Sequence, residues 1–171
     1  MGRMRWFQKS PLSAELRNEL RRAHPKAGDV LAVGTGGRVL AVACTECLAI
    51  RREGTDPAWT FVGWHLISQG GWNDPTLSWK DAEGEGDSVQ LDDPGRIPEV
   101  FQERVQASIV LQQVFDAPGG GHVVVAGRRR LGADEPIVWQ VTTLGKARLS
   151  NPEVAEFATA MAQQLRADYD L

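Results

Sequence analysis

Alternation of apolar and polar positions dominates the middle of this chain. From Asp29 onwards, short runs rich in β-branched and aromatic residues follow one another, separated by Gly, Pro, Asp and Asn. This pattern is typical of β-strands. It predicts six strands, at residues 29–35, 37–45, 46–52, 58–67, 75–81 and 87–93. Because no helical segment interrupts them, they predict an antiparallel meander and exclude a doubly wound parallel sheet.

Helical spacing of apolar residues marks both ends of the chain. Residues 10–24 have Ser10 as a candidate N-cap and Pro11 in the first turn, where its missing N–H costs nothing. Residues 151–169 repeat this signal with Asn151 and Pro152. The apolar stripes that should face the core are Leu12, Leu16, Leu20 and Ala23 in the first segment and Val154, Phe157, Ala158, Met161 and Leu165 in the last.

A third helix is predicted directly after the strands, over residues 97–115. Its apolar band begins with Ile97, Phe101, Val105 and Ile109 and is wide enough to close the open end of a curled sheet. A β-hairpin with strands near 121–130 and 136–144 is predicted between this helix and the last one.

These elements predict an α+β fold. We expect a curled antiparallel sheet or partly open barrel, closed by the amphipathic helix and flanked by an N-terminal helix and by a C-terminal β-hairpin plus helix. The chain has 171 residues, which suits one hydrophobic core. Its expected parts are a basic N-terminal segment and helix at 1–27, the β domain with its closing helix at 28–115, and the hairpin and last helix, packed on the same unit, at 116–171.

The order of motifs in residues 28–115 resembles the bacterial pleckstrin-homology-like domains. The motifs are "TECLAI" at 45–50, "WHLI" at 64–67 and "TLSW" at 76–79, followed by the amphipathic helix. The resemblance implies a curled sheet capped by a helix and a binding or scaffolding role, without catalytic residues. Several relatives bind phosphoinositides through basic loop residues. Here the first loop, "GTGG", has no lysine or arginine before Arg38, which argues against headgroup recognition by that loop.

Charge divides the chain into a basic start and an acidic remainder. Residues 1–26 hold seven basic and two acidic residues, a net charge of +5, whereas the remainder is −8 and the whole chain −3. A basic start can dock on an anionic surface or fold back on its own acidic body. The candidate contact residues in this segment are Arg3, Arg5, Trp6, Lys9, Arg17 and Arg21.

Localisation follows from what the sequence lacks. No run approaches the roughly 20 apolar residues that span a bilayer, and no apolar leader segment follows the basic first residues. We therefore expect a cytoplasmic protein.

Nucleic acid is an unfavoured partner, because the body of the chain is acidic and the run Arg128–Arg130 has no interleaved aromatic residues. Surface solvation is the expected role of that run.

Cys44 and Cys47 are the only cysteines and have the C-x-x-C spacing of zinc knuckles and redox pairs. Thr45 and Glu46 between them resemble the two-residue turn of a hairpin, so we expect buried free thiols that face each other. Metal binding or redox chemistry at this pair is the weaker alternative.

"GTGG" and "PGGGH" match neither a Walker loop nor a Rossmann fingerprint and are expected to be turns. No cofactor is implied.

Aromatic residues cluster in "TFVGWHLISQGGWNDPTLSW", residues 60–79. Strand alternation puts Trp64 and Leu66 on one face and Leu77 and Trp79 on another, and we expect these faces to be buried. Trp72 falls in the glycine-rich turn between the two strands and is the best candidate for a ligand contact. The nearby His65, Ser68, Ser78 and Asp74 do not match a known hydrolase motif.

Three functions remain, in order of preference. The first is a non-catalytic protein-interaction or adaptor module, acting through β-augmentation or through a groove beside the closing helix. The second is binding to an anionic membrane surface or lipid headgroup through the basic N-terminal segment. The third is an enzyme of unknown type. Self-association through the last hairpin and helix is a further expectation.

Overall fold

The structure, a computed structural model, describes residues 12–169. Three helices, ten strands and one short 3-10 helix occur in this range. The helices are α1 (Ala14–Ala23), α2 (Ile97–Ala107) and α3 (Pro152–Tyr169), and the 3-10 helix is Trp64–Leu66. The strands are β1 (Val30–Thr35), β2 (Val39–Cys44), β3 (Cys47–Arg52), β4 (Trp59–Gly63), β5 (Gln69–Asn73), β6 (Thr76–Lys80), β7 (Gly86–Gln90), β8 (Ile109–Asp116), β9 (His122–Arg128) and β10 (Val138–Leu144).

The strands form three antiparallel sheets. The first sheet has the order β1-β2-β3-β4, the second β5-β6-β7 and the third β10-β9-β8. The first two sheets continue the same meander, and α2 follows them in the chain. The α+β class and the antiparallel pairing are therefore confirmed, while the described strands do not close into a barrel.

The main core lies between the first two sheets and α2. It contains the inner faces of both sheets, represented by Leu48 and Leu77, together with Ile97 and Phe101 of α2 and Trp64 of the 3-10 helix. Because side chains alternate along a strand, the first sheet also has an outer face, which α1 covers. The first sheet is thus buried on both sides.

Local sequence signals explain the ends of α1. The hydroxyl of Ser13 accepts a hydrogen bond from the Leu16 N–H, which satisfies one free amide at the helix start. The helix is shorter than expected, since it begins at Ala14; Ser10 and Pro11, the predicted start, lie outside the described residues. Leu20 is the buried residue of this helix, whereas Ala23 is exposed.

The third sheet and α3 form a separate cluster. Asn151 accepts a hydrogen bond from the Glu153 N–H at the start of α3, which confirms the predicted cap. Val154, Ala158 and Leu165 are buried against the third sheet, as their spacing predicted. Only one face of the sheet is covered by α3, and the other takes part in the groove described below.

The prediction of one helix over residues 97–115 is wrong. The helix ends at Ala107, and β8 begins at Ile109. Ile109 still falls on the apolar stripe of the helix, but it pairs with Arg128 of β9 instead. Pairing with a strand distant in sequence overrides the local helical period. For the same reason the predicted hairpin of β9 and β10 is part of a three-stranded sheet.

The aromatic cluster also differs from its prediction. Residues 64–66 form a 3-10 helix, so Trp64 is fully buried while Leu66 is exposed, and the two do not share a face. The expected turn at 68–75 contains strand β5, which leaves Asp74 and Pro75 as the connection to β6. Leu77 and Trp79 of β6 are buried together, as predicted. None of the helices in the described residues is long and apolar enough to cross a membrane.

Candidate functional site

A groove of about 660 Å³ separates the second sheet and α2 from the third sheet. Its first wall consists of β5 and one side of α2, and its second wall is the face of the third sheet that α3 leaves uncovered. The volume lies within the range of known ligand sites, about 300–1,000 Å³.

The first wall presents the edge of a strand. β5 pairs with β6 on one side only, and residues 68–72 all line the groove. A Cβ atom on Gly70 would lie 2.6 Å from the Ser78 carbonyl oxygen and 2.9 Å from Phe101 Cζ, so glycine permits β5 to pack closely on α2. A Cβ atom on Gly71 would meet no atom within 4 Å. Gly71 therefore has open space beside it on the face of β5 that does not pack on α2.

The second wall is a sheet face with polar and apolar rows. Its side chains come from strand positions that alternate with those packed on α3. The row nearer to α2 is Gln112, Ala126 and Gln140, and the following row is Val114, Val124 and Thr142. The face can therefore offer both amide hydrogen bonds and apolar contact to a ligand.

Arg128 joins the two walls. It is 2% exposed, and its guanidinium donates from Nη1 to the Ile67 carbonyl oxygen at 2.6 Å and from Nη2 to the Trp64 carbonyl oxygen at 2.8 Å. Nε and Nη2 also donate to the Ser108 hydroxyl, at 3.0 and 2.6 Å, just after the end of α2. Nη1 donates in addition to Gln140 Oε1 on β10. One side chain of β9 thus binds the 3-10 helix, the end of α2 and β10.

The charge of Arg128 is balanced without a carboxylate among these partners. Burial lowers its pKa to about 10, so it remains positive at neutral pH. Helix carbonyl groups carry partial negative charge at a C-terminus, and Arg128 also reaches the Val105 carbonyl oxygen in the last turn of α2. Its five N–H groups already have acceptors in the protein. The guanidinium is therefore occupied by structural hydrogen bonds and is not free to bind an anion.

The remaining lining is nearly neutral. Glu99 and Arg128 are the ionisable side chains among the described lining residues. The lining also contains five amide side chains: Gln69, Gln102, Gln106, Gln112 and Gln140. Gln140 is already fixed, since its amide donates to the His65 carbonyl oxygen at 2.7 Å. The groove is suited to ligands that exchange neutral hydrogen bonds.

Of the predicted binding residues that the structure describes, Trp72 lies in this groove. It is half-buried on β5 and packs partly against the main core, so it is neither in a turn nor freely exposed. Arg17 and Arg21 are on α1, away from the groove lining. Arg3, Arg5, Trp6 and Lys9 lie outside the described residues.

Cys44 and Cys47 are free and buried, as predicted. They flank the turn between β2 and β3, and each thiol shifts the pKa of the other. The neighbouring thiol and burial raise the pKa of Cys47, which keeps it protonated. The described residues contain no group of three or more His, Cys, Asp or Glu side chains placed to hold a metal ion.

The structure does not bring the candidate hydrolase residues together. The Ser68 hydroxyl donates to the carbonyl oxygens of Lys80 and Asp81, which closes the start of β5 against the end of β6. Burial lowers the pKa of His65, and its Nδ1 has no hydrogen-bond partner within the described part of the chain. The Ser68 hydroxyl therefore has a structural role, and no hydrogen bond joins it to His65 in the described range.

Sequence reasoning missed Arg128, Gln112 and Gln140. Arg128 was expected on the surface because it begins a run of three arginines, and the prediction is wrong for this member of the run. The alternation of β9 did contain a signal, since Val124, Ala126 and Arg128 share a face. What the pattern could not show is that this face meets α2.

Comparison of the chain with protein-family models, with curated proteins and with solved structures gave no match.

Proposed function

We propose that this chain is a non-catalytic protein-interaction module that binds an extended segment of a partner polypeptide in the groove, along the edge of β5. The observation that carries the proposal is the position of β5, a strand that pairs on one side only within residues 12–169 and whose residues 69–72 line the groove. An unpaired strand edge offers alternating N–H and C=O groups, and an extended peptide complements them.

The order of elements supports the resemblance to pleckstrin-homology-like domains as part of this proposal. A four-stranded and then a three-stranded antiparallel sheet, followed by the helix α2, agree with a curled sheet closed by a helix. The family resemblance implies a binding role. The third sheet and α3 add a second wall beside the groove of that unit.

The dimensions of the walls define the length of the expected ligand. Three residues of β10, Gln140, Thr142 and Leu144, line the second wall, and the four steps from the first to the last cover about 13 Å at 3.3 Å per residue. A peptide in extended conformation covers this distance with about four residues. Because the accessible lining is nearly neutral, backbone hydrogen bonds and apolar contacts would supply most of the affinity.

The chemistry of the lining favours a polypeptide over an anionic headgroup. A phosphorylated headgroup needs free lysine or arginine side chains. Arg128 is the basic residue in the described lining, and its donors are used within the protein. Its role is therefore to position the walls.

The test introduces bulk beside the unpaired edge of β5. Gly71→Trp places a large side chain where a Cβ atom meets nothing within 4 Å, so the fold should tolerate it. Gly37→Trp is the matched control, because its Cβ atom also meets nothing within 4 Å and residue 37 does not line the groove. The probe is a displayed library of random linear 12-residue peptides, selected on the full chain.

We expect selection to yield binders whose Kd rises about tenfold or more on Gly71→Trp, as when a contact worth at least 1.4 kcal/mol is lost. Binding to Gly37→Trp should be unchanged. Failure to select any binder, or equal binding to both variants, would contradict the proposed function.

A further inference from the structure

One feature on each wall of the groove determines which side chains its ligand should have. The walls are joined at Arg128, where the last turn of α2 and Gln140 of β10 meet. From there the first wall continues towards the start of α2, at Glu99, and the second wall continues towards the end of β10, at Leu144. Glu99 and Leu144 therefore lie on opposite walls of the groove, each several residues away from the Arg128 junction.

Glu99 gives the first wall of the groove a negative charge. Its side chain is 67% exposed, and its ion-pair partner in the described residues is Arg96, one helical turn away at 3.9 Å with a side chain that is also largely exposed. Exposed pairs of this length contribute little free energy, so Glu99 can exchange Arg96 for a cation from a ligand. An acidic ligand residue at the same place would be repelled.

The second wall carries an apolar patch, which we define as Val124 and Leu144 of the groove lining together with Val114, the neighbour of Val124 on β8. Val114 and Leu144 are 50% and 48% exposed, whereas Val124, between them on the central strand, is buried. The His122–Asp116 pair, at 3.2 Å, borders the patch in the register row of Leu144. An apolar side chain placed here would cover exposed aliphatic surface and gain about 25 cal/mol per Å².

These features complement one kind of occupant. We propose that the groove selects an extended segment of a partner polypeptide that carries a lysine or arginine opposite Glu99, a large apolar side chain on the apolar patch, and no acidic residue between them. This inference rests on the proposed function and adds the class of partner. Charge complementarity sets the basic residue, and the exposed valine and leucine set the apolar one.

The test for the basic residue uses a double-mutant cycle on peptides selected from the random 12-residue library. Glu99→Gln removes the charge and keeps the shape, and Glu103→Gln is the matched control, since Glu103 is an exposed residue of α2 outside the groove lining. Each selected peptide is measured with its basic residue and with glutamine in its place.

We expect the selected peptides to be enriched in lysine or arginine and depleted in acidic residues. Glu99→Gln should raise the Kd of the basic peptide about three- to fivefold, as an exposed ion pair permits, without changing the Kd of the glutamine peptide. Glu103→Gln should leave both unchanged.

The apolar position is tested separately. Leu144→Ser should raise the Kd of the selected peptides about tenfold, whereas Leu149→Ser, at a residue 40% exposed and outside the lining, should have no effect. Replacement of the apolar peptide residue by alanine should remove the difference between wild type and Leu144→Ser.

The outcomes separate this inference from the proposed function. One outcome would overturn the partner class and keep the groove as a peptide site. In that outcome Gly71→Trp blocks peptide binding, but the selected peptides carry acidic residues, or their Kd is unchanged by Glu99→Gln and Leu144→Ser. Absence of any peptide binding, or binding insensitive to Gly71→Trp, would overturn both.

Discussion

Trp64 is the residue on which the main core most directly depends. It is fully buried, its indole N–H donates to the Cys44 carbonyl oxygen at 2.9 Å, and its ring meets Phe101 edge-on with centroids 5.8 Å apart. We expect Trp64→Ala to lower the free energy of unfolding by about 3–5 kcal/mol, because it removes a large buried side chain and leaves a cavity. Urea denaturation followed by circular dichroism measures this change.

Trp72 is the internal comparison for that experiment. It is half-buried and lines the groove, so Trp72→Ala should cost less stability than Trp64→Ala and should weaken peptide binding. A loss below about 1 kcal/mol for Trp64→Ala, within the range of surface substitutions, would contradict the packing described for the 3-10 helix. The sequence predicted the burial of Trp64 correctly, although the strand alternation on which that prediction rested is absent. The apolar character of the residue predicts its burial better than the assumed strand geometry does.

At the scale of elements, the attachment of α1 to the first sheet depends on Glu19. Its carboxylate accepts hydrogen bonds from Arg51 Nε at 3.0 Å and from Trp59 Nε1 at 2.9 Å. The hydrogen bond from Arg51, then that from Trp59, lowers the pKa of Glu19 below its ordinary value. A carboxyl whose pKa is lower in the folded state stabilises the fold above its unfolded pKa, and this contribution is lost as pH falls through the folded pKa.

We therefore expect part of the stability to disappear on acidification below the ordinary carboxyl range near 4.5. Glu19→Gln should reduce stability at neutral pH and flatten this acid loss, because the amide can still accept hydrogen bonds but does not titrate. Thermal unfolding at several pH values between neutral and strongly acidic provides the measurement, with Glu15→Gln on the exposed side of α1 as control. An acid loss of the same slope in Glu19→Gln would assign the effect to other carboxyls.

Elements defined by local chemistry could be predicted, and elements defined by distant pairing could not. Asn151 and Pro152 mark the start of α3 by capping, a property of neighbouring residues. β8 continues the apolar period of α2 and becomes a strand only because β9 pairs with it. β5, with two glycines in five residues, has weak strand propensity and is held by its pairing with β6.

At the scale of the whole molecule, the groove depends on how two clusters are joined, and no local pattern encodes that relation. The main core and the cluster around α3 are each visible in the sequence as apolar periodicity. Their junction is Arg128, whose chemistry in the sequence is indistinguishable from that of its neighbours Arg129 and Arg130. Only the tertiary structure shows that its guanidinium meets carbonyl groups from the 3-10 helix and α2.

Substitution of Arg128 tests how strongly this junction holds the two walls together. Arg128→Met retains much of the side-chain volume but leaves the carbonyl oxygens of Trp64 and Ile67 and the Ser108 hydroxyl without their donor. We expect a loss of about 3–5 kcal/mol in the free energy of unfolding, because each buried acceptor left without a donor costs about 1–3 kcal/mol. Arg128→Lys should recover little, because an ammonium cannot reproduce the planar fork of donors. Arg38→Met, at an exposed arginine outside the junction, should change stability by less than about 0.5 kcal/mol.

Since Arg128 also fixes the spacing of the walls, the lysine variant, where it still folds, should bind selected peptides more weakly than wild type. Wild-type stability and peptide affinity in both Arg128 variants would show that the walls are held together by apolar packing alone.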